Sequence, residues 1–159
     1  MSSWKIYFFH LFQIRFKKLV EDVRALKKDD PDGYQGHPKS KMLNAVVRSI
    51  KRLRGDPTGD DYQMGKNVLS GYRYWRRVKK DLPQRHRLFF RFWSSKQKVI
   101  LAWLNDEKNL RKDGAKTDVY RCFFKMLENG TVPNSYDELM SKSNEYKSAK
   151  PKNVAVKEN

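Results

Sequence analysis

From Arg85 to Phe92 the chain reads Arg-His-Arg-Leu-Phe-Phe-Arg-Phe, and an extended backbone sends successive side chains to opposite faces. One face then carries Arg85, Arg87, Phe89 and Arg91, and the other carries His86, Leu88, Phe90 and Phe92. Such a strand suits a sheet with a core on one side and a polyanion on the other. The run 98–104 is almost continuously apolar and belongs at the centre of that sheet, with helices covering one face. The run 75–80 precedes both, and the joints between the three are short enough for antiparallel neighbours.

Upstream, Phe12, Phe16, Leu19, Val20, Val23 and Leu26 recur at steps of three and four, which predicts an amphipathic helix from about 9 to 28. Asp30-Pro31-Asp32-Gly33 stops it. Leu43, Val46, Val47, Ile50 and Leu53 predict a second helix from about 39 to 54. The polar, glycine-bearing segment after it, to Tyr74, reads as a long loop. Beyond the loop 105–116, Thr117 is placed to cap a helix with Asp118 in its first turn, ended by Asn129-Gly130. Ser135 and Glu138 form the pattern of a capping box for a short last helix. The expected architecture is one α+β domain over 1–141, with two N-terminal helices packed on a small antiparallel sheet and one or two short helices after it. Residues 142–159, rich in Lys, Ser and Asn, are expected to be a disordered tail.

Thirty-five Lys and Arg against 18 Asp and Glu give a formal charge of +17 over 159 residues, which points to a polyanionic partner, nucleic acid or ribonucleoprotein first. The charge is concentrated: between Arg73 and Lys98 stand ten Lys or Arg and one acid, Asp81. If the strands align, Arg77 and Lys79 line a groove with Arg85 and Arg87; a slip of one residue substitutes Arg76 and Lys80. Trp75, Phe89 and Trp93 are candidates either for stacking on unpaired bases or for the core. The single cysteine, Cys122, suits a reducing compartment, and no zinc ligand set or cofactor motif is present. No run approaches the roughly 20 apolar residues that span a bilayer, so a soluble cytoplasmic protein without membrane contact is expected.

Cleaving RNA without a metal requires activation of a ribose 2′-hydroxyl, stabilisation of a phosphorane and protonation of the departing 5′-oxygen. Arginines meet the second need, because fixed cations act most strongly where charge develops. His86 has the ring chemistry for acid–base work, yet its parity turns it away from the arginines, leaving structural and catalytic readings open. Tyr120, just after a loop with Arg111, Lys112 and Lys116, is read equally as core or as site. Asp106 and Glu107 are read as fixing the loop.

The segments Trp4-Lys5-Ile6-Tyr7, Tyr74-Trp75-Arg76-Arg77-Val78-Lys79, Arg87-Leu88-Phe89-Phe90-Arg91-Phe92, Leu101-Ala102-Trp103-Leu104-Asn105-Asp106-Glu107, Lys116-Thr117-Asp118-Val119-Tyr120 and Phe124-Lys125-Met126-Leu127-Glu128-Asn129-Gly130 together resemble the YhaV family of bacterial toxins. The resemblance runs over about residues 4 to 141. It implies a RelE-like fold of the RelE/ParE-like superfamily and a type II toxin–antitoxin endoribonuclease that cleaves mRNA, with the ribosome as a candidate place of action. The implied partners are a PrlF-like antitoxin and, through the complex, operator DNA. Arg87, in His86-Arg87-Leu88, matches the arginine of the superfamily's tyrosine-arginine-leucine strand motif, Arg111 a second arginine, and Tyr120 the tyrosine beyond it. His86, where tyrosine is usual, and Arg85 depart from that pattern. The resemblance assigns the scissile phosphate to Arg87 and Arg111 and the 2′-hydroxyl to Tyr120, while the charge pattern assigns flanking RNA to Arg77, Lys79, Arg85, Arg91, Lys112 and Lys116. Two other readings fit the charge: a non-enzymatic RNA or ribosome binder that blocks translation, and a basic DNA-binding repressor.

Overall fold

The structure, a computed structural model, describes residues 3–65 and 71–147. Its first element is a strand, β1 (Lys5–Phe9), where the sequence reading placed none and expected helices first. Ile6, Phe8 and Phe9 point to both faces and are all buried, so β1 reads as an apolar run too short to announce a period. The chain then turns directly into α1 (His10–Asp29), and α2 (Pro38–Gly55) follows. The Nδ1 of His37 caps α2 by accepting from the Lys39 amide.

β2 (Arg76–Val78), β3 (Leu88–Trp93) and β4 (Lys98–Leu104) form the expected meander, but the first two are shorter than predicted. Arg85 accounts for part of this. It lies outside β3 at φ 67°, a left-handed conformation that ends strand alternation, so it does not share a strand face with Arg87. The sheet has five strands in the order β2-β3-β4-β1-β5, with β5 (Ser143–Tyr146) antiparallel to β1. β4 is central, as its apolarity predicts, but β1 runs parallel to it, so the sheet is mixed rather than antiparallel. β5 lies in the segment read as a disordered tail: backbone pairing and the stacking of Tyr146 on Phe8 order a stretch whose composition is polar. The rest of that expected tail, from 148, lies outside the described residues.

Helices cover both faces of the sheet. α1 and α2 bring Phe12, Phe16, Leu43 and Ile50 against Ile6, Leu88, Phe90 and Leu101. On the other face α3 (Val119–Glu128) and α4 (Tyr136–Ser141) bring Phe123 and Leu139 against Phe9, Phe89 and Ile100. Alternation in β3 is thus preserved, with Leu88 and Phe90 on one side and Phe89 on the other, but both sides are core. The face expected to meet RNA is the floor beneath α3. Phe89 stacks on Phe123 at 4.1 Å, and Trp75 is fully buried edge-on to Phe123, so both aromatics are core.

α3 is capped by Asp118, whose carboxylate accepts from the Tyr120 amide; Thr117, expected in that role, stands one residue too early and is exposed. Ser135 caps α4 as expected, accepting from the Glu138 amide and donating its hydroxyl to the Glu138 carboxylate. Gly130, at φ 83°, carries the chain out of α3.

Candidate functional site

In β2, Arg77 lies opposite Phe89 and therefore shares its face, beneath α3. That fixes the strand register. Arg77 donates its Nε–H to the Tyr120 hydroxyl at 3.0 Å and an Nη1–H to the Asp61 carbonyl at 2.7 Å. Arg76 turns to the other face, where its guanidinium lies 5.7 Å from the Phe92 ring centre.

Arg87 reaches the same phenol from β3's entry, donating Nε–H to the Tyr120 hydroxyl at 3.1 Å and Nη1–H to the His86 carbonyl at 2.9 Å. It is only 8% exposed. Arg111 approaches from the loop after β4, with its guanidinium 5.0 Å from the Tyr120 ring centre; that of Arg87 lies at 6.0 Å. Three guanidinium groups from three separate segments therefore meet on one buried phenol. Arg87, Arg111 and Tyr120, proposed together from sequence, are neighbours, joined by Arg77.

Two residues that the sequence reading did not single out for the site hold this arrangement. Asn105 is fully buried; its Oδ1 accepts from the Arg87 amide at 2.8 Å, and its Nδ2 donates to the carbonyls of Arg85 at 3.1 Å and Asn109 at 2.8 Å. The Arg85 carbonyl also accepts from the Arg111 amide at 2.9 Å, so the left-handed turn at Arg85 ties the loop of Arg111 to the strand of Arg87. Asp118 is the other hub. One of its oxygens accepts from Arg111 Nη1 at 2.7 Å and from the Lys112 amide at 2.6 Å, while the second accepts from the Tyr120 amide at 3.0 Å. A buried asparagine after an apolar strand and an aspartate opening a helix were the traces of these roles in sequence.

Burial works against ionisation of Asp118, but the Arg111 guanidinium and the Lys112 and Tyr120 amides outweigh it and hold its pKa below the usual carboxylate value. The hydrogen bond from Asp118 raises that of Arg111 in return. A depressed carboxylate contributes stability above its unfolded pKa and loses it as the pH falls through the folded one. Asp118→Asn is therefore expected to be less stable than the parent at pH 7, with the gap closing below about pH 4. Urea unfolding of both proteins from pH 7 to pH 2.5 measures it.

The remaining sequence candidates are dispersed. Arg85 is exposed, and its backbone rather than its side chain makes the contacts just described. Lys79 lies past the end of β2, lining a cleft with Arg52, Asp61 and Tyr62. Lys112 and Lys116 are exposed on the loop that leads to α3. Arg91 stands at the far end of β3, held by Asn134. His86 is buried on the side away from Tyr120: its Nδ1 is 3.1 Å from the Gln84 carbonyl and its Nε2 is 3.9 Å from Glu107. Burial holds its pKa below the ordinary imidazole value against the opposing pull of Gln84 and Glu107. Asp106 fixes its loop as read, accepting from the Lys108 amide at 2.9 Å, whereas Glu107 faces His86. Among the described residues no group of three or more His, Cys, Asp or Glu side chains is arranged to hold a metal, and no helix is long and apolar enough to cross a membrane.

Fold and cluster define a small, strongly basic α+β protein that gathers arginines onto a single tyrosine. Residues 6–144 match the YhaV toxin family, described as toxins with endonuclease activity of toxin-antitoxin systems. The chain is 37% identical over 147 residues to Toxin YhaV of Escherichia coli O6:H1, covering 91% of this chain and 95% of that protein. It is 36% identical, over the same shares, to Ribonuclease toxin YhaV of Escherichia coli K12 and to Toxin YhaV of Escherichia coli O157:H7. No solved structure matches it. The chain belongs to the YhaV family and is the toxin half of a toxin–antitoxin pair.

Proposed function

We propose that this toxin is a metal-independent endoribonuclease of RelE-like type that cleaves mRNA at the Arg77–Arg87–Arg111–Tyr120 cluster, with the ribosome as a place of action. The observation that carries this reading is the double acceptance at the Tyr120 hydroxyl, which takes Nε–H groups from Arg77 and Arg87 while Arg111 stands over its ring. A phenol oxygen so engaged keeps its own O–H to donate. Tyr120 then orients the ribose by donating that one O–H. Arg111, the more exposed guanidinium, meets the phosphate from solvent, and Arg87 adds its charge from beneath.

The 2′-oxygen attacks phosphorus, the bond to the 5′-oxygen breaks, and the products are a 2′,3′-cyclic phosphate and a free 5′-hydroxyl. The proton of the 2′-hydroxyl leaves to water, and water returns one to the departing 5′-oxygen, because His86 is turned away from the cluster. Concentrating positive charge where the phosphorane forms is the main catalytic contribution. Arg85, Arg91, Lys79, Lys112 and Lys116 bind flanking phosphates over a wider surface. A PrlF-like antitoxin covers the same positive field, and the complex binds operator DNA.

A substrate with a single 2′-deoxynucleotide at the cleaved position tests the chemistry. Cleavage is expected to stop at that position alone, and the RNA products should carry cyclic phosphate ends. Unchanged cutting of the deoxy substrate overturns attack by the 2′-oxygen. Translation arrest by purified toxin with intact RNA favours instead a binder that blocks without cutting.

A further inference from the structure

Beyond Phe89, β3 sends Arg91 and Trp93 to the same face as the floor of α3. Arg91 lies between two rings, 4.9 Å from the centre of Trp93 and 5.3 Å from that of Tyr74. Asn134 holds its Nη1, but its buried Nε finds no hydrogen-bond partner among the described residues, and none of the described ion pairs includes it. Half-buried, without a carboxylate, this cation is in want of an anion.

The rings beside it are available. Tyr74 is 61% exposed, one of two large exposed apolar side chains among the described residues. Trp93 is partly exposed and meets Tyr136 edge-on at 4.9 Å. Lysines complete the alternation of ring and charge, with Lys96 4.9 Å from the Tyr136 ring centre and Lys98 Nζ 3.3 Å from its hydroxyl. Of the acids that follow Tyr136, Glu138 is engaged by Ser135. Flat π-faces alternating with unneutralised cations match the repeat of unpaired base and phosphate, whereas an acidic peptide would leave the ring faces unused.

We propose that Tyr74, Trp93 and Arg91 form a base-stacking subsite for single-stranded RNA flanking the cleaved linkage. Four residues of extended chain separate Arg87 from Arg91, and three separate Tyr74 from Arg77, so the subsite lies about 10–13 Å from the Tyr120 cluster, a few nucleotides away. It rests on the endoribonuclease reading above and adds to it a preference for unpaired RNA long enough to reach both places.

The test uses the full chain and uncleavable 2′-O-methyl strands of about two and about twelve nucleotides, with affinity read by fluorescence anisotropy. Tyr74→Ala is expected to weaken binding of the longer strand about tenfold and that of the shorter strand far less, while Tyr74→Phe restores it. Because Tyr74 is exposed, its truncation does not threaten the fold, which circular dichroism checks. Equal affinity of parent and Tyr74→Ala for the long strand, or the same loss at both lengths, overturns the subsite. A defect confined to antitoxin capture also overturns it, by giving the face to a protein. A parent toxin that binds the long strand through Tyr74 yet cuts no RNA keeps the subsite and removes the nuclease reading. A parent that cuts, beside a Tyr74→Ala variant with unaltered affinity, does the reverse.

Discussion

Arg111→Ala is expected to lower the cleavage rate by about 10²- to 10³-fold, the usual effect of deleting one fixed donor from a site where negative charge develops. Cells induced for the variant should grow. Its fold should survive, at a cost of about 2 kcal/mol: the buried Asp118 carboxylate loses its guanidinium partner but keeps the amides of Lys112 and Tyr120. Arg87→Ala makes a poorer test. Its guanidinium is buried, and truncation strips donors from the Tyr120 hydroxyl and the His86 carbonyl, at a cost of about 2–3 kcal/mol. Loss of toxicity at 87 alone would therefore mix chemistry with folding. Arg111→Lys separates charge from shape, since an ammonium supplies the charge but not the planar fork, and only part of the rate should return. Cleavage at the parent rate by a folded Arg111→Ala protein would remove this arginine from the mechanism.

The places where sequence reading succeeded share a physical cause. α1 and α2 each bury one stripe, so their 3.6-residue period is visible, and β4 is buried on both faces and reads as unbroken apolarity. β3 shows the limit of the same logic. Its alternation was real, but alternation separates two faces without telling which is wet. The arginines at 87 and 91 suggested solvent, while Phe89 between them belongs to a second core under α3. β1 and β5 were missed because each is short and owes its place to partners distant in sequence: β1 to β4, and β5 to β1. Periodicity carries no trace of such pairing. The convergence of Arg87, Arg111 and Tyr120 was legible only through family resemblance. Arg77 entered through strand register, and Asn105 was invisible because its role is to satisfy backbone groups of residues 18 and 20 positions away.

That role makes Asn105→Ala a strongly destabilising change, comparable to truncating a buried core aromatic. The side chain is fully buried and makes three hydrogen bonds, to the Arg87 amide and to the carbonyls of Arg85 and Asn109. Truncation leaves a buried N–H without an acceptor, at about 1–3 kcal/mol, and removes two further bonds at about 1 kcal/mol each. The sum, about 3–5 kcal/mol, corresponds to a fall in Tm of about 10 °C for a domain of this size. Activity should fall with it even below the melting transition, since Asn105 links the strand entry of Arg87 to the turn that anchors Arg111. Asn105→Asp sharpens the argument. It keeps the acceptor for the Arg87 amide but sets a carboxylate against two carbonyls, so at pH 7 it should be at least as damaging as alanine. Burial among carbonyls raises the pKa of that carboxyl, so as the pH falls towards the ordinary carboxylate value a protonated Asp regains one donor and the variant should recover relative to Asn105→Ala. Paired thermal melts at pH 7 and pH 4 read that crossing. Melts in which Asn105→Ala lies within 2–3 °C of the parent, about 1 kcal/mol, would mean that Asn105 does not hold the site together.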